Sequence, residues 1–209
     1  MGNDKVILRS ILSTVAAIFV LFVIMFATLA FVYPSTMMKM TYDLGMYSAS
    51  VRYAKRTYDR NDEIYYIAFA TEVAIMDDNV KNIASCGSRF IKDDGFDGYA
   101  DERNERVAES LPDGVDAPTM DYRQYVYGNV CVAKYKLGKK TEAIENAFLW
   151  NGDTFTENNA VVAVLMRALG EKDNASVDEI LTRLQTQKTA NATEQAYLQS
   201  IVEWTKTQR

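Results

Sequence analysis

The sequence contains no histidine, and only two cysteines and three prolines occur among its 209 residues. The missing imidazole excludes the commonest metal ligand, the commonest general base and every catalytic pair of serine or cysteine with histidine. Acidic residues outnumber basic ones, since 23 Lys and Arg stand against 28 Asp and Glu and give a net charge of -5. We therefore expect no nucleic-acid partner, because phosphate binding needs clustered basic side chains.

The balance of residue types is that of a folded protein. Hydrophobic residues make up 48% of the chain and charged residues 24%, which excludes a disordered tail or a fibrous repeat. Two cysteines cannot supply a disulfide scaffold. A domain of this size buries about 70% of its unfolded surface, so its stability does not depend on disulfides or metal ions. We therefore expect a stable domain that holds neither a metal ion nor a cofactor.

A long stretch without any charged residue lies near the N-terminus, from Ser10 to Met38. Its apolar centre, residues 11–33, exceeds the roughly 20 residues that a helix needs to cross the hydrocarbon core of a bilayer. We predict a transmembrane anchor within residues 10–38 that contacts membrane lipid and loses its regular pattern at Pro34.

A cleaved signal peptide is the competing interpretation, because basic residues precede the apolar run and 28–30 (Thr-Leu-Ala) resembles a cleavage site. The run is longer than the about 7–15 apolar residues that are typical of a signal peptide, which favours an uncleaved anchor. Lys5 and Arg9 precede the span whereas only Lys39 follows it closely, so we predict a cytoplasmic tail at 1–9 and an extracytoplasmic C-terminal domain. Three further basic residues count against this orientation: Arg52, Lys55 and Arg56.

The remainder of the chain, residues 39–209, has the hydrophobic periodicity of helices. Val177, Ile180, Leu181 and Leu184 form one such stripe, and no stretch alternates apolar and polar residues for long enough to demand a sheet. We predict an all-α fold class in which the anchor is followed by a helical domain. Its helices are expected near residues 41–59, 62–78, 79–92, 121–137, 140–150, 157–169, 176–187 and 193–206.

Local signals place several ends of these helices. Glycine favours a helix C-terminus, as at Gly138 and Gly170. Three capping patterns predict N-termini, because a side-chain oxygen can accept a hydrogen bond from a free amide of the first turn. These patterns are Thr154 with Glu157, Ser176 with Glu179, and Asn191 with Glu194.

The segment 133–148 resembles a tetratricopeptide repeat. In that family a small residue and an aromatic residue lie on the first helix, Leu-Gly closes it, and a second helix packs back through alanine and larger apolar residues. The matching residues here are Ala133, Tyr135, Leu137, Gly138, Ala143, Ile144 and Phe148. The resemblance implies a solenoid-like stack of helical hairpins, over 39–209, whose concave face binds segments of other proteins.

Residues 93–121 interrupt this pattern as an acidic, irregular connection that contains two prolines and three glycines. We expect a short helix near 103–111 within it. A calcium-binding loop could begin at Asp93, with Asp97 and Asp101 as further ligands. The register places Gly95 and Asn104 where carboxylates are needed, so a solvated acidic loop is favoured.

Two other groups of residues have a structural and a functional interpretation. Cys86 and Cys131 lack a CxxC partner and an activating base, so we predict two buried free thiols, with a disulfide between them as the alternative. A tyrosine cluster follows the anchor and could serve an interface, although packing between helices is the favoured role. Its members are Tyr42, Tyr47, Tyr53, Tyr58, Tyr65 and Tyr66.

The sequence therefore predicts a single-pass membrane protein that acts as a non-catalytic scaffold or accessory subunit and binds other proteins through its helical domain. The combination of one anchor, a helical-hairpin domain and no catalytic motif leads to this prediction. An alternative is a membrane-anchored enzyme that uses carboxylate or metal-dependent chemistry in the acidic segment, since carboxylate pairs can transfer protons without histidine.

Overall fold

The structure, a computed structural model, describes residues 2–112, 121–150, 160–189 and 191–208. Within these ranges every regular element is a helix, which confirms the predicted all-α class. The helices are α1 (Gly2–Val32), α2 (Pro34–Asp43), α3 (Tyr47–Asn61), α4 (Ile64–Met76), α5 (Val80–Ile91), α6 (Phe96–Glu109), α7 (Tyr122–Lys136), α8 (Lys140–Trp150), α9 (Ala160–Gly170), α10 (Asn174–Thr186) and α11 (Ala192–Thr207).

Eight of these helices form four hairpins that share one kind of turn: α2 with α3, α4 with α5, α7 with α8, and α9 with α10. In each turn one residue has a left-handed backbone, and the next helix begins two residues later. The residue after it donates its N–H to a carbonyl five positions back, as Asn79 does to Ala74 at 3.0 Å. The left-handed residues are Gly45, Asp78, Gly138 and Lys172.

The spacing of the turns is regular within each half of the domain. Gly45 and Asp78 are 33 positions apart (45 to 78), and Gly138 and Lys172 are 34 positions apart (138 to 172). The middle interval is 60 positions (78 to 138) because α6 and the residues up to 121 are inserted there. Despite this insertion α5 packs directly on α7, and α6 lies against α7.

Two expectations about element bounds are wrong. The helix predicted at 41–59 is interrupted by the left-handed turn at Gly45, and α2 begins at Pro34, whose fixed φ suits the first position of a helix. The described part of the acidic segment, 93–112 and 121, is mostly helical, because α6 starts at Phe96, well before the short helix expected near 103–111. Phe96 and Ala100 of α6 are buried, which gives this charged helix an apolar side to pack.

The predicted helix ends are partly confirmed. Gly138 occupies the left-handed turn after α7, and the Asn191 side chain accepts a hydrogen bond from the amide of Glu194. The helix end predicted at Gly170 is also confirmed, because α9 ends there, although the left-handed residue of the turn is Lys172. The capping pattern predicted at Ser176 is wrong, since Asp173 caps α10. The pattern Thr154 with Glu157 lies outside the described residues.

The buried side chains form two clusters joined at α7. The first surrounds Phe90 and includes residues of α2, α3, α4 and α5, and the second surrounds Leu165 and Ile180 of α9 and α10. Cys86 lies in the first cluster and Cys131 in the second, and both thiols are buried and free. The prediction of free thiols is confirmed, and the disulfide alternative is wrong.

Candidate functional site

The C-terminal end of α1 is packed against the helical domain. The stretch Ser10–Val32 of α1 is long and apolar enough to cross a membrane, and most of its side chains are exposed. Its last turn differs, because Ala30 belongs to the buried core and Leu29 packs against it. The Arg56 guanidinium donates a hydrogen bond of 3.4 Å to the Ala30 carbonyl and lies 4.5 Å from the centre of the Phe31 ring. Arg56 of α3 therefore links the apolar helix to the domain.

Helix α2 continues this packing beyond Tyr33. Met37 and Met38 are buried in the first core cluster, and the Ser50 hydroxyl of α3 donates a hydrogen bond of 2.9 Å to the Met38 carbonyl. The hydrogen bonds of Ser50 to Met38 and of Arg56 to Ala30 show that α3 runs antiparallel to α2 and returns toward the end of α1. The apolar helix and the first hairpin thus form one packed unit.

A groove lies between α2 and α4, the first helices of two successive hairpins. Its volume is about 310 Å³. The rings of Tyr42 on α2 and Phe69 on α4 are 5.4 Å apart and join the two helices beside it. Met40 and Tyr65 are 42% and 47% exposed, so large apolar surfaces face solvent here. The groove is lined by Ser35, Thr36, Lys39, Met40, Asp43, Tyr65 and Tyr66.

Some tyrosines of the cluster pack inside the domain, and others are exposed. Tyr53 is buried and Tyr58 is half-buried, where its hydroxyl donates a hydrogen bond of 2.5 Å to Asp93 and this bond raises the pKa of Tyr58 to about 12. Tyr65 lines the groove and Tyr42 lies beside it, and both are exposed. Packing is therefore the role of only part of the cluster, and an exposed aromatic surface is formed by the rest.

Polar and aromatic residues of α4 and α7 meet elsewhere in the same part of the domain. The Tyr122 hydroxyl donates a hydrogen bond of 2.7 Å to Glu72, and Arg103 lies 3.8 Å from the same carboxylate. Burial, together with the charge of Glu72 and this hydrogen bond, raises the pKa of Tyr122. The exposed Tyr125 ring is 6.2 Å from that of Tyr122. These contacts hold the Glu72 side chain of α4 between α6 and α7.

The carboxylates of the acidic segment surround an arginine. Arg123 of α7 forms ion pairs of 2.8 Å with Asp97 and with Asp101, and one of 3.4 Å with Asp121. Partial burial disfavours its charge, but the hydrogen bonds to Asp97 and Asp101 raise the pKa of Arg123. The guanidinium thus occupies the position between the carboxylates that a cation would need, and it attaches α6 to α7.

The described parts of the chain contain no convergent group of three His, Cys, Asp or Glu side chains that could hold a metal ion. Asp93, the first residue of the calcium register, accepts hydrogen bonds from the Tyr58 hydroxyl and from the Gly95 amide. The residues of the predicted calcium-binding loop therefore lie in a turn and in helix α6, and they do not form one loop.

Comparisons with models of protein families, with curated proteins and with solved structures gave no match. The groove between α2 and α4 is accordingly interpreted from its own geometry. The groove was not predictable from the sequence, because helical spacing alone does not show which tyrosines of the cluster lie inward. The signal available was the apolar-aromatic character of residues 40–47 together with 65 and 66.

Proposed function

We propose that the protein is a single-pass membrane protein whose helical-hairpin domain binds other proteins beside the bilayer, as a non-catalytic scaffold or accessory subunit. The groove between α2 and α4 is the observation that carries this proposal. It combines exposed aromatic and methionine side chains with one charge of each sign, Lys39 and Asp43. Aromatic residues and methionine are enriched at protein interfaces, and such a groove suits a segment that presents large apolar side chains.

The packing of the last turn of α1 supports an uncleaved anchor over a signal peptide. Cleavage after the Thr-Leu-Ala sequence at 28–30 would remove Ala30 from the core and the carbonyl that accepts the Arg56 hydrogen bond. A segment destined for removal has no need of such contacts. We further propose the orientation that the flanking charges favour, with residues 1–9 in the cytoplasm and the domain outside.

The regular turns support the resemblance to tetratricopeptide repeats. Turn intervals of 33 and 34 positions match the 34-residue length of that repeat, and the insertion containing α6 separates two pairs of hairpins. We propose that the four hairpins form a short stack in which the groove lies between the first helices of the first two repeats. A groove so close to the anchor would capture partners that are themselves at the membrane.

Site-specific photo-crosslinking in cells tests this function. A photoreactive phenylalanine analogue at Tyr65 or at Met40 is expected to crosslink the full-length protein to a defined partner. The same analogue at Lys81, an exposed position of α5 outside the groove, is the matched control. Equal crosslinking from all three positions, or none from the groove positions, would contradict the proposed function.

A second measurement separates binding from folding. Tyr65→Ala and Met40→Ala remove exposed side chains and should leave the thermal midpoint within about 2 °C, because exposed substitutions change stability little. Each should weaken the association with the crosslinked partner at least about fivefold, as hot-spot residues of an interface do. Unchanged affinity in both variants would exclude the groove as the binding surface.

A further inference from the structure

Three arginines of α3 differ from the other arginines whose side chains the structure describes. Arg52, Arg56 and Arg60 form no ion pair with any described carboxylate, although the chain is acidic overall. The three are spaced four residues apart, so they share one face of α3. The arginines that do pair with a carboxylate are Arg89, Arg103, Arg106, Arg123, Arg167 and Arg183.

The one acidic residue within α3 already has a partner on a neighbouring helix. Asp59 accepts an ion pair of 2.6 Å from Arg89 of α5. The arginine face, defined as Arg52, Arg56 and Arg60, is therefore not neutralised by the carboxylate of its own helix. A row of guanidinium groups without ion pairs attracts anions.

The position of Arg56 places this face at the edge of the proposed membrane span. The 23 residues of Ser10–Val32 extend for about 34 Å as a helix, whereas the hydrocarbon core is about 30 Å thick. The last turn of the span thus reaches the headgroup layer. Arg56 contacts the Ala30 carbonyl and the Phe31 ring in that turn. Its two companions lie one helical turn away on either side.

We propose that the arginine face binds the phosphate groups of anionic phospholipids in the same bilayer that α1 crosses. A guanidinium donates two parallel hydrogen bonds to phosphate oxygens, and its weak hydration suits the interfacial layer. Basic residues close to a membrane surface are attracted to anionic lipid. This inference rests on the proposed membrane anchorage but is independent of the groove and its partner.

Titration of the full-length protein in detergent micelles, read by native mass spectrometry, tests the inference. The probes are phosphatidylglycerol and phosphatidylcholine with identical acyl chains. We expect phosphatidylglycerol to bind the natural protein at least about tenfold more tightly, given the attraction of three arginines for an anionic headgroup. Equal affinity for the two lipids would overturn the proposal.

Substitutions test whether the anionic lipid binds at the arginine face. The triple change Arg52→Gln, Arg56→Gln and Arg60→Gln should abolish the preference for phosphatidylglycerol. The matched control removes the same charge from exposed lysines far along the chain: Lys139→Gln, Lys188→Gln and Lys206→Gln. This control should keep the preference, and an equal loss in both triples would show a net-charge effect and overturn the assignment to α3.

Two further experiments control for disturbed folding and for binding of a different anion. Arg52→Gln with Arg60→Gln leaves the Arg56 contact with Ala30 intact and should still lower the preference several-fold; no change would overturn the proposal. Inorganic phosphate is expected not to displace phosphatidylglycerol, and displacement at millimolar concentration would assign the face to free phosphate instead. If the lipid preference fails while the Tyr65 crosslink forms, only this inference falls and the proposed function stands.

Discussion

Gly87 of α5 lies directly against Val130 of α7, and a Cβ atom added to Gly87 would overlap the Val130 Cγ2 atom. This contact joins the hairpin α4–α5 to the hairpin α7–α8 across the inserted helix α6. Glycine is used here because the two helices approach more closely than any side chain at position 87 permits. The packing of α5 on α7 across the insertion depends on this approach.

Gly87→Ala is expected to destabilise the protein by about 1–3 kcal/mol, because Val130 is β-branched and cannot move aside without strain. That corresponds to a fall of about 2–4 °C in the thermal midpoint for each kcal/mol in a domain of this size. Circular dichroism of the full-length protein in detergent micelles measures the change.

Two further substitutions test whether the destabilisation comes from the contact between Gly87 and Val130. Adding Val130→Ala to Gly87→Ala should recover part of the loss, because the overlapping methyl group is removed. Gly98→Ala, which meets open space on α6, should be neutral or stabilising by up to about 1 kcal/mol. A Gly87→Ala protein as stable as the natural one would refute the close contact.

Arg123→Gln is expected to loosen α6. The guanidinium, only 21% exposed, joins the carboxylates of Asp97 and Asp101 to α7, and hydrogen bonds to a charged group contribute about 1.5–3 kcal/mol. Amide hydrogen exchange in Phe96–Glu109 should therefore accelerate about tenfold or more.

The control for α6 is Arg106→Gln, whose ion pair with Glu102 is exposed and stays within the helix. It should change exchange by less than about threefold. Asp97→Asn with Asp101→Asn should reproduce the effect of Arg123→Gln in calcium-free buffer. A calcium requirement for the protection of α6 would favour the cation-binding alternative over the arginine contact.

Asp173→Asn is expected to lower stability at neutral pH by about 1 kcal/mol, since Lys140 is 44% exposed and the ion pair is screened. The hydrogen bonds from Lys140, Tyr135 and Ser176 hold the pKa of Asp173 well below its usual range. Asparagine keeps the N-cap of α10 but loses the charge.

The pH dependence follows from the lowered pKa of Asp173. A carboxyl whose pKa is lower in the folded state stabilises the protein above the ordinary aspartate pKa of about 3.9, and that stability is lost as the pH falls below it. The difference in unfolding midpoint between the natural protein and Asp173→Asn should therefore be constant from pH 5 to 8 and shrink toward pH 2. A difference that grew in acid would contradict the ion pair.

The two native thiols should resist alkylation while the protein is folded. Both are fully buried, and burial raises the pKa of Cys131 to about 12 and also raises the pKa of Cys86. Mass spectrometry after maleimide treatment should find neither modified, whereas Ser85→Cys, exposed beside Cys86, should react. Labelling of both native thiols in denaturant completes the test.

The helical class, the apolar N-terminal helix and most helix positions could be predicted because they follow from hydrophobic periodicity. The turns were predictable only where glycine occupies the left-handed position, as at Gly138. Asp78 and Lys172 adopt the same backbone without that signal, since the hydrogen bonds of the turn and the packing of the hairpin outweigh the cost of a side chain there. The regular interval of the turns therefore has no glycine signal at two of its four positions.

The surfaces of the candidate sites were harder to predict. Charge patterning of 93–121 suggested a solvated loop, because the sequence does not show that Arg123 lies opposite Asp97 and Asp101. The spacing of Arg52, Arg56 and Arg60 was readable as one helical face, yet the nearness of Arg56 to the end of α1 depends on the return of α3 along α2. Such long-range pairings arise from packing between elements and have no local signature.

The transition from α1 to α2 contains a single residue, Tyr33, and both helices pack into the same core. Membrane helices tilt when their apolar length exceeds the thickness of the surrounding bilayer. Because the connection is so short, a tilt of α1 in the bilayer that we propose it crosses would incline the domain by a similar angle and carry the groove toward or away from the membrane plane. The thickness of the host membrane would then set the angle at which this protein meets its neighbours.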